Sequence, residues 1–322
     1  MTRTVPSIVY KLLIVIATVI WGFSFVVMKD IINSVSPAWL LGIRFLAAGV
    51  ILLVIFWKRV KQSFSKEALI AGVVVGALLT VAYLTQTIGL IYISPGKNAF
   101  LTATYCVMVP FIWWILAKRK PSVFNILAAV VCIAGVGLIS MTGADAQNGL
   151  LIGFGEIMTL VCAVFFALHI VAVSKYSEKY DVMVLTVYQF LWSGVFSLIW
   201  GIFFETPPSS EVLFSSDFLF SLGYLVIFAS VIALGFQNLA VAKIPPAQAS
   251  VLLSLESVFG VVFSVLFYGE VLNAQLIAGF VLVFAGILIS EVLPQLRAKS
   301  ESAEPLLAEP NVFDEPQASS EH

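Results

Sequence analysis

The sequence predicts an all-α integral membrane protein, with ten transmembrane helices arranged as two inverted five-helix repeats. Three observations carry that prediction. Ten apolar runs, each about long enough to cross a bilayer, fill nearly the whole chain. Lys and Arg collect on alternate loops between them, and the chain resembles itself at an offset of 151 residues. Composition agrees: 61% of the 322 residues are hydrophobic and 11% charged, against about 45–50% and about 25% in soluble domains. One very apolar soluble domain could not cover such a core with polar surface.

A hydrocarbon layer of about 30 Å takes roughly 17–25 residues of helix. The runs lie at 12–28, 37–57, 68–91, 98–117, 123–141, 150–173, 183–203, 218–241, 247–268 and 275–293, and six of them hold no Asp, Glu, Lys or Arg. The first follows a short basic start but has no small-residue cleavage pattern before Lys29–Ser36, so it is expected to be retained rather than removed as a signal peptide. Trp39 and Trp57 bracket the second, about 27 Å of helix apart, as interface anchors would be. The third carries Gly72-x-x-x-Gly76, read as close helix packing, and Tyr83 and Gln86 on one face. Asn98, Thr102 and Tyr105 form a polar stripe on the fourth. Gly143 and Asn148 mark the fifth-to-sixth loop at 142–149 as a turn. Glu156 and His169 lie in the sixth run, Gln237 in the eighth, and Ser250, Ser254 and Ser257 form a second polar stripe on the ninth beside Glu256. Beyond Pro294 the chain turns rich in Glu, Ser, Ala and Pro, a composition that cannot bury enough apolar surface to fold alone.

With the N-terminus inside, fourteen Lys and Arg fall on inner segments and only Lys29 and Lys97 at outer ends. The positive-inside rule then places both termini in the cytoplasm, and the expected location is the inner or plasma membrane. The offset of 151 pairs Ala82 with Ala233, Gln86 with Gln237, Pro95 with Pro246 and Gly135 with Gly286. Five spans per half turn the second half upside down, a recurring device of secondary transporters that places the substrate between the halves. The expected units are 1–141, a linker at 142–149, 150–293 and a disordered cytoplasmic tail at 294–322.

Four charged side chains are expected within or at the edge of the spans: Arg44, Lys97, Glu156 and Glu256. A charge at the bilayer centre costs about 2.5–3.5 kcal/mol on the insertion scale, so two of each sign invite mutual pairing. Glu256 sits near the middle of its run, and the offset pairs it with Tyr105. Desolvation of its charged form would let it take up and release a proton; the plainer alternative is a structural, hydrogen-bonded carboxyl. Glu156 reads as a partner for Arg44 or Lys97. Arg44 either holds backbone carbonyls or an acid, or receives a substrate carboxylate, and Lys97 can snorkel to the interface. Trp21 either packs or caps a substrate pocket, and Tyr83, Gln86, Asn98, Thr102, Gln237 and Ser254 either glue helices or line a pore. His169 reads as a hydrogen-bonded structural group.

In order and spacing these residues resemble the EamA-type transporters of the drug/metabolite transporter superfamily. The resemblance covers residues 10–293. It rests on Trp21-Gly22-Phe23-Ser24-Phe25 with Lys29, Pro37 with Arg44, Ser94-Pro95-Gly96-Lys97-Asn98-Ala99-Phe100-Leu101-Thr102, and Val109-Pro110. The second half adds Gly155-Glu156, Ala167-Leu168-His169, Ala249-Ser250, Leu255-Glu256, Gly269-Glu270, Gln275, Gly279 and Ala285-Gly286. One departure is Ser257, where the family commonly has proline; no proline is there to break the ninth helix. The resemblance implies a carrier for a small organic metabolite, often an exporter of amino acids or related compounds.

Other classes fare worse. An intramembrane enzyme needs a nucleophile–base pair, a carboxylate dyad or a metal cluster, and one intramembrane His with scattered acids supplies none. Cys106, Cys132 and Cys162 match no zinc or redox spacing, so neither metal nor cofactor is expected. No G-x-x-x-x-G-K-[ST] sequence occurs for an ATP-driven pump. A net charge of −1 points to no nucleic acid. A non-transporting sensor would usually carry a soluble signalling domain. The expected partners are a small-molecule substrate, the lipid bilayer and, as one further candidate, a second copy of the chain. Proton-coupled export leads over a passive uniporter or exchanger.

Overall fold

The computed structural model describes residues 6–117, 120–141, 152–244, 249, 252–293 and 296. Among the described residues all regular structure is helical. The first half comprises α1 (Ser7–Ile31), α2 (Pro37–Ile55), a short α3 (Trp57–Gln62), α4 (Lys66–Tyr92), α5 (Pro95–Ala103), α6 (Tyr105–Ala117) and α7 (Val123–Ser140). The second comprises α8 (Phe154–Ser177), α9 (Val182–Phe204), α10 (Ser210–Leu213), α11 (Ser216–Tyr224), a π-helical stretch (Leu225–Ile232), α12 (Ala233–Val241), α13 (Leu255–Phe263), a second π-helical stretch (Ser264–Tyr268) and α14 (Ala274–Glu291). Eight helical segments are long and apolar enough to cross a membrane, and Leu255–Tyr268 and Ala274–Ser290 are shorter apolar helices. The linker at 142–149, Ser250, and the tail from 294 apart from Leu296 lie outside the described residues.

Helix starts follow from local chemistry. Pro occupies the first turn of α2 after Ser36 and of α5 after Ser94, where its missing N–H costs nothing. Ser65 accepts from Ala68 N, Asn273 from Leu276 N, and Ser122 and Asn125 form a reciprocal capping box. Such caps satisfy amides that hydrocarbon could not. Lys29 Nζ donates to the carbonyls of Leu90, Ile91 and Ile93 at 2.6–3.0 Å, closing the C-terminus of α4. Glu205 accepts from Ala38 N at both carboxylate oxygens, at 2.9 and 3.1 Å. Burial pushes its carboxyl above the usual range, although the Ala38 and Trp39 amides pull the other way.

The fourth and ninth spans are not the unbroken helices that the polar stripes imply. The fourth interrupts at Thr104, whose hydroxyl donates to Leu101 O at 2.6 Å. The ninth interrupts at Ser254, whose carbonyl accepts from Ser257 Oγ at 2.7 Å and from Ser257 N at 3.1 Å. No proline is needed: short Ser and Thr side chains bond the carbonyls that a break frees. Glu256 therefore stands in the first turn of α13, not in mid-helix.

Close approach fixes the packing. A Cβ on Gly76 would lie 2.8 Å from Trp192 Cβ and 2.9 Å from Gln189 O, so α4 meets α9 backbone to backbone. One on Gly135 would lie 2.8 Å from Gly279 O, and α7 packs along α14 in this way. Outward faces carry large apolar groups such as Phe203, 75% exposed, and Ile133, 71% exposed, a surface suited to lipid.

At one end of the bundle Glu270 joins the halves. Its carboxylate accepts from Ser94 Oγ and from Ser264 Oγ, and from Gly96 N at 3.0 Å. Gly269, at φ 72°, makes the left-handed turn that brings Glu270 onto the start of α5.

Candidate functional site

A cavity of about 20 Å³ lies between α1, α4, the broken fourth and ninth spans, α8 and α12, room for about one water. Its wall contains seven of the side chains marked in the sequence: Trp21, Tyr83, Gln86, Thr102, Tyr105, Gln237 and Glu256. The two positions paired by the repeat, Tyr105 and Glu256, open the helices that follow the two breaks, so both reach the same space. Helix breaks at such a place let side chains meet a solute where an intact helix would bury its own backbone.

Each polar wall group is held differently. Trp21 Nε1 donates to Ala229 O at 2.8 Å, a carbonyl within the π-helical stretch. Gln86 Nε2 donates to Thr102 Oγ1 at 3.1 Å, and Thr102 Oγ1 lies 3.9 Å from Cys162 Sγ. Glu256 is buried, yet among the described residues no hydrogen bond or ion pair reaches its carboxylate.

Three marked residues form an adjoining layer. Lys97 Nζ and Glu156 Oε1 are 3.4 Å apart, with both side chains under 10% exposed. Lys97 thus does not snorkel, and Glu156 takes Lys97 rather than Arg44. Asn98 Nδ2 donates to Gln86 O at 3.2 Å and to Thr159 Oγ1 at 2.9 Å, tying α4, α5 and α8 together. Ser254 marks the break itself and is buried.

Among the described residues Arg44 has no acid and no backbone carbonyl, contrary to the packing roles expected for it. Its Nε donates to Ser230 Oγ at 2.7 Å, and Nη1 lies 3.5 Å from Met28 Sδ. The guanidinium carbon stands 5.1 Å from the Phe45 ring and 4.9 Å from the Tyr83 ring, the geometry of cation–π contact. Nη2 has no partner among the described residues. Met28 and Tyr83 both line the cavity, and Arg44 is not among its lining residues.

His169, read from sequence as structural, also lines the cavity; its Nε2 lies 3.1 Å from Gln189 Oε1. Phe166, His169 and Ile170 are spaced i, i+3, i+4 on α8, and Trp21, Ser24, Phe25 and Met28 on α1 continue to i+7. That spacing was a signal, but in an all-apolar helix every face shows it. Among the described residues no group of three or more His, Cys, Asp or Glu is placed to hold a metal.

The profile of the EamA-like transporter family matches residues 9–141 and again 153–291. The chain is 29% identical over 279 residues to an uncharacterized transporter of Archaeoglobus fulgidus, covering 85% of this chain and 83% of that one. It is 27% identical over 289 residues to the uncharacterized transporter YvbV of Bacillus subtilis, covering 88% and 92%. It is 25% identical over 282 residues to the uncharacterized inner membrane transporter YedA of Escherichia coli, covering 84% and 87%. A solved crystal structure superposes with a TM-score of 0.67 at 15% identity, covering 89% of this chain and 98% of the other; that likeness is one of fold.

Proposed function

This chain belongs to the EamA-like transporter family, and from that premise we propose a secondary carrier that exports a small organic metabolite, an amino acid or related compound, by alternating access coupled to protons. The carrier moves between two packings of two inverted five-helix repeats, in an inner or plasma membrane with both termini cytoplasmic. Several observations support the repeat. The offset of 151 carries 123–140 onto 274–291, the bounds of α7 and α14. It also relates the α4–α8 contact to the α12–α1 contact, and the α6–α8 contact to the α13–α1 contact. The family profile matches once in each half.

The observation that carries the coupling is Glu256, a buried carboxylate in the wall of the central cavity with no hydrogen bond or ion pair among the described residues. A structural carboxyl would be satisfied by protein donors. An unsatisfied one is available to a proton or solute, and its change of charge biases one packing over the other. The cavity holds little more than a water, so a solute enters only when the helices that line it move apart.

Glu256→Gln keeps shape and hydrogen bonding while removing the charge. In proteoliposomes it is expected to lower pH-driven accumulation at least tenfold while exchange at equal pH survives. Undiminished pH-driven transport would make Glu256 structural and place coupling elsewhere, and a lack of pH-driven accumulation by the unmutated protein would make it a passive carrier. Counterflow with a panel of amino acids and amines identifies the solute.

A further inference from the structure

Among the described residues the cavity wall leaves acceptors, and the Gln237 amide, without protein partners. Three of its donors are engaged within the protein: the Trp21 indole on Ala229 O, the Ser24 hydroxyl on Trp21 O at 2.8 Å, and the Gln86 amide on Thr102 Oγ1. Two of its acceptors are not. The Glu256 carboxylate has no partner among the described residues. His169 is 1% exposed, and its Nδ1 is without a partner among the described residues while Nε2 faces Gln189 Oε1. In the tautomer whose Nε2–H donates to that oxygen, Nδ1 carries the lone pair.

Charge points the same way. Among the described residues no Lys or Arg lines the cavity: Lys97 pairs with Glu156, and Arg44 is in contact with Met28 and Tyr83. Among the described residues Glu256 is the one charged group in the wall, which also holds the rings of Trp21, Phe25, Tyr83, Tyr105 and Phe166. Aromatic faces attract cations once water is excluded.

We propose that this site selects an ammonium group bearing N–H donors, held between the Glu256 carboxylate and His169 Nδ1 within the aromatic wall, so that the solute is an amine. This rests on the reading of the cavity as the transport site and narrows its substrate class. Amine specificity follows because a zwitterion would bring a carboxylate that no cation in the wall receives. A proton and a monoammonium place the same charge beside Glu256, so they compete one for one.

Equilibrium binding to the purified full chain in detergent tests this, with radiolabelled tyramine against tyrosine and isoamylamine against leucine. The members of each pair differ by one carboxylate. Each amine is expected to bind at least tenfold more tightly than its amino acid, and more weakly as pH falls. Glu256→Gln should weaken that binding at least tenfold, leaving exchange only at saturating solute. His169→Leu should weaken it about tenfold, and His169→Asn, whose amide oxygen replaces the Nδ1 lone pair, should restore it. Equal or tighter binding of the amino acids overturns the proposal, and its loss in Arg44→Gln would then assign Arg44 to the carboxylate. Binding of no probe, or amine binding indifferent to Glu256→Gln, overturns it as well. Binding is read without a gradient, so these outcomes are separate from those of the Glu256→Gln transport assay.

Discussion

Lys97 and Arg44 are both cations buried in the helical bundle, and they are stabilised by different chemistry. Lys97 has a carboxylate at 3.4 Å; Arg44 spreads its charge over two ring faces, a thioether and one hydroxyl. The delocalised guanidinium tolerates this arrangement, where a compact ammonium, more strongly hydrated, needs an anion. Removing one member of a buried pair leaves the other uncompensated, at a cost of about 3–5 kcal/mol, whereas replacing both by apolar groups is often neutral. Glu156→Gln is therefore expected to lower thermal stability in detergent sharply. Lys97→Met combined with Glu156→Leu should recover most of it. A double variant no more stable than Glu156→Gln would show that the charges matter beyond their mutual compensation.

Among the elements, α5 is a short helix whose residues are all buried. It spans only Pro95–Ala103, ends at the Thr104 break, and is pinned at its start by Glu270 from the other half. Isolated helices this short are marginal, so the carboxylate clamp should govern its local stability. Hydrogen bonds to a charged group contribute about 1.5–3 kcal/mol. Glu270→Ala is thus expected to speed amide exchange across 96–103 by about tenfold or more, read by mass spectrometry, with α7 and α14 unchanged. Equal exchange in both proteins would mean that packing alone holds α5. The π-helical stretch of the eighth span is a second local device: Ser230 Oγ donates to Leu225 O five residues back and receives Arg44, while Ala229 O receives Trp21. The wider turn frees a carbonyl that an α-helix would have used.

For the whole molecule, the proposed orientation places Lys61 inside and Ser209 outside, and both are exposed. Lys61→Cys and Ser209→Cys, in a background without Cys106, Cys132 and Cys162, should label with an impermeant thiol reagent from the inner and outer side respectively. The reverse pattern would overturn the orientation and the repeat inversion derived from it.

The amino-acid sequence determined the membrane solvent and the positions of the apolar helices, because both depend on composition that neighbouring elements do not alter. It also marked Trp21, Tyr83, Gln86, Thr102, Tyr105, Gln237 and Glu256, since a polar group in an apolar helix stands out before folding. Tertiary structure alone decided the rest. Glu156 had two cations within plausible reach, and only helix packing assigned it to Lys97 and left Arg44 to Ser230 and two rings. The breaks at Thr104 and Ser254 have no proline to announce them. His169 looked structural because a hydrogen-bonded imidazole and a cavity-lining one are the same residue in sequence. Which of its nitrogens is satisfied depends on Gln189, twenty residues away in the chain and 3.1 Å away in space.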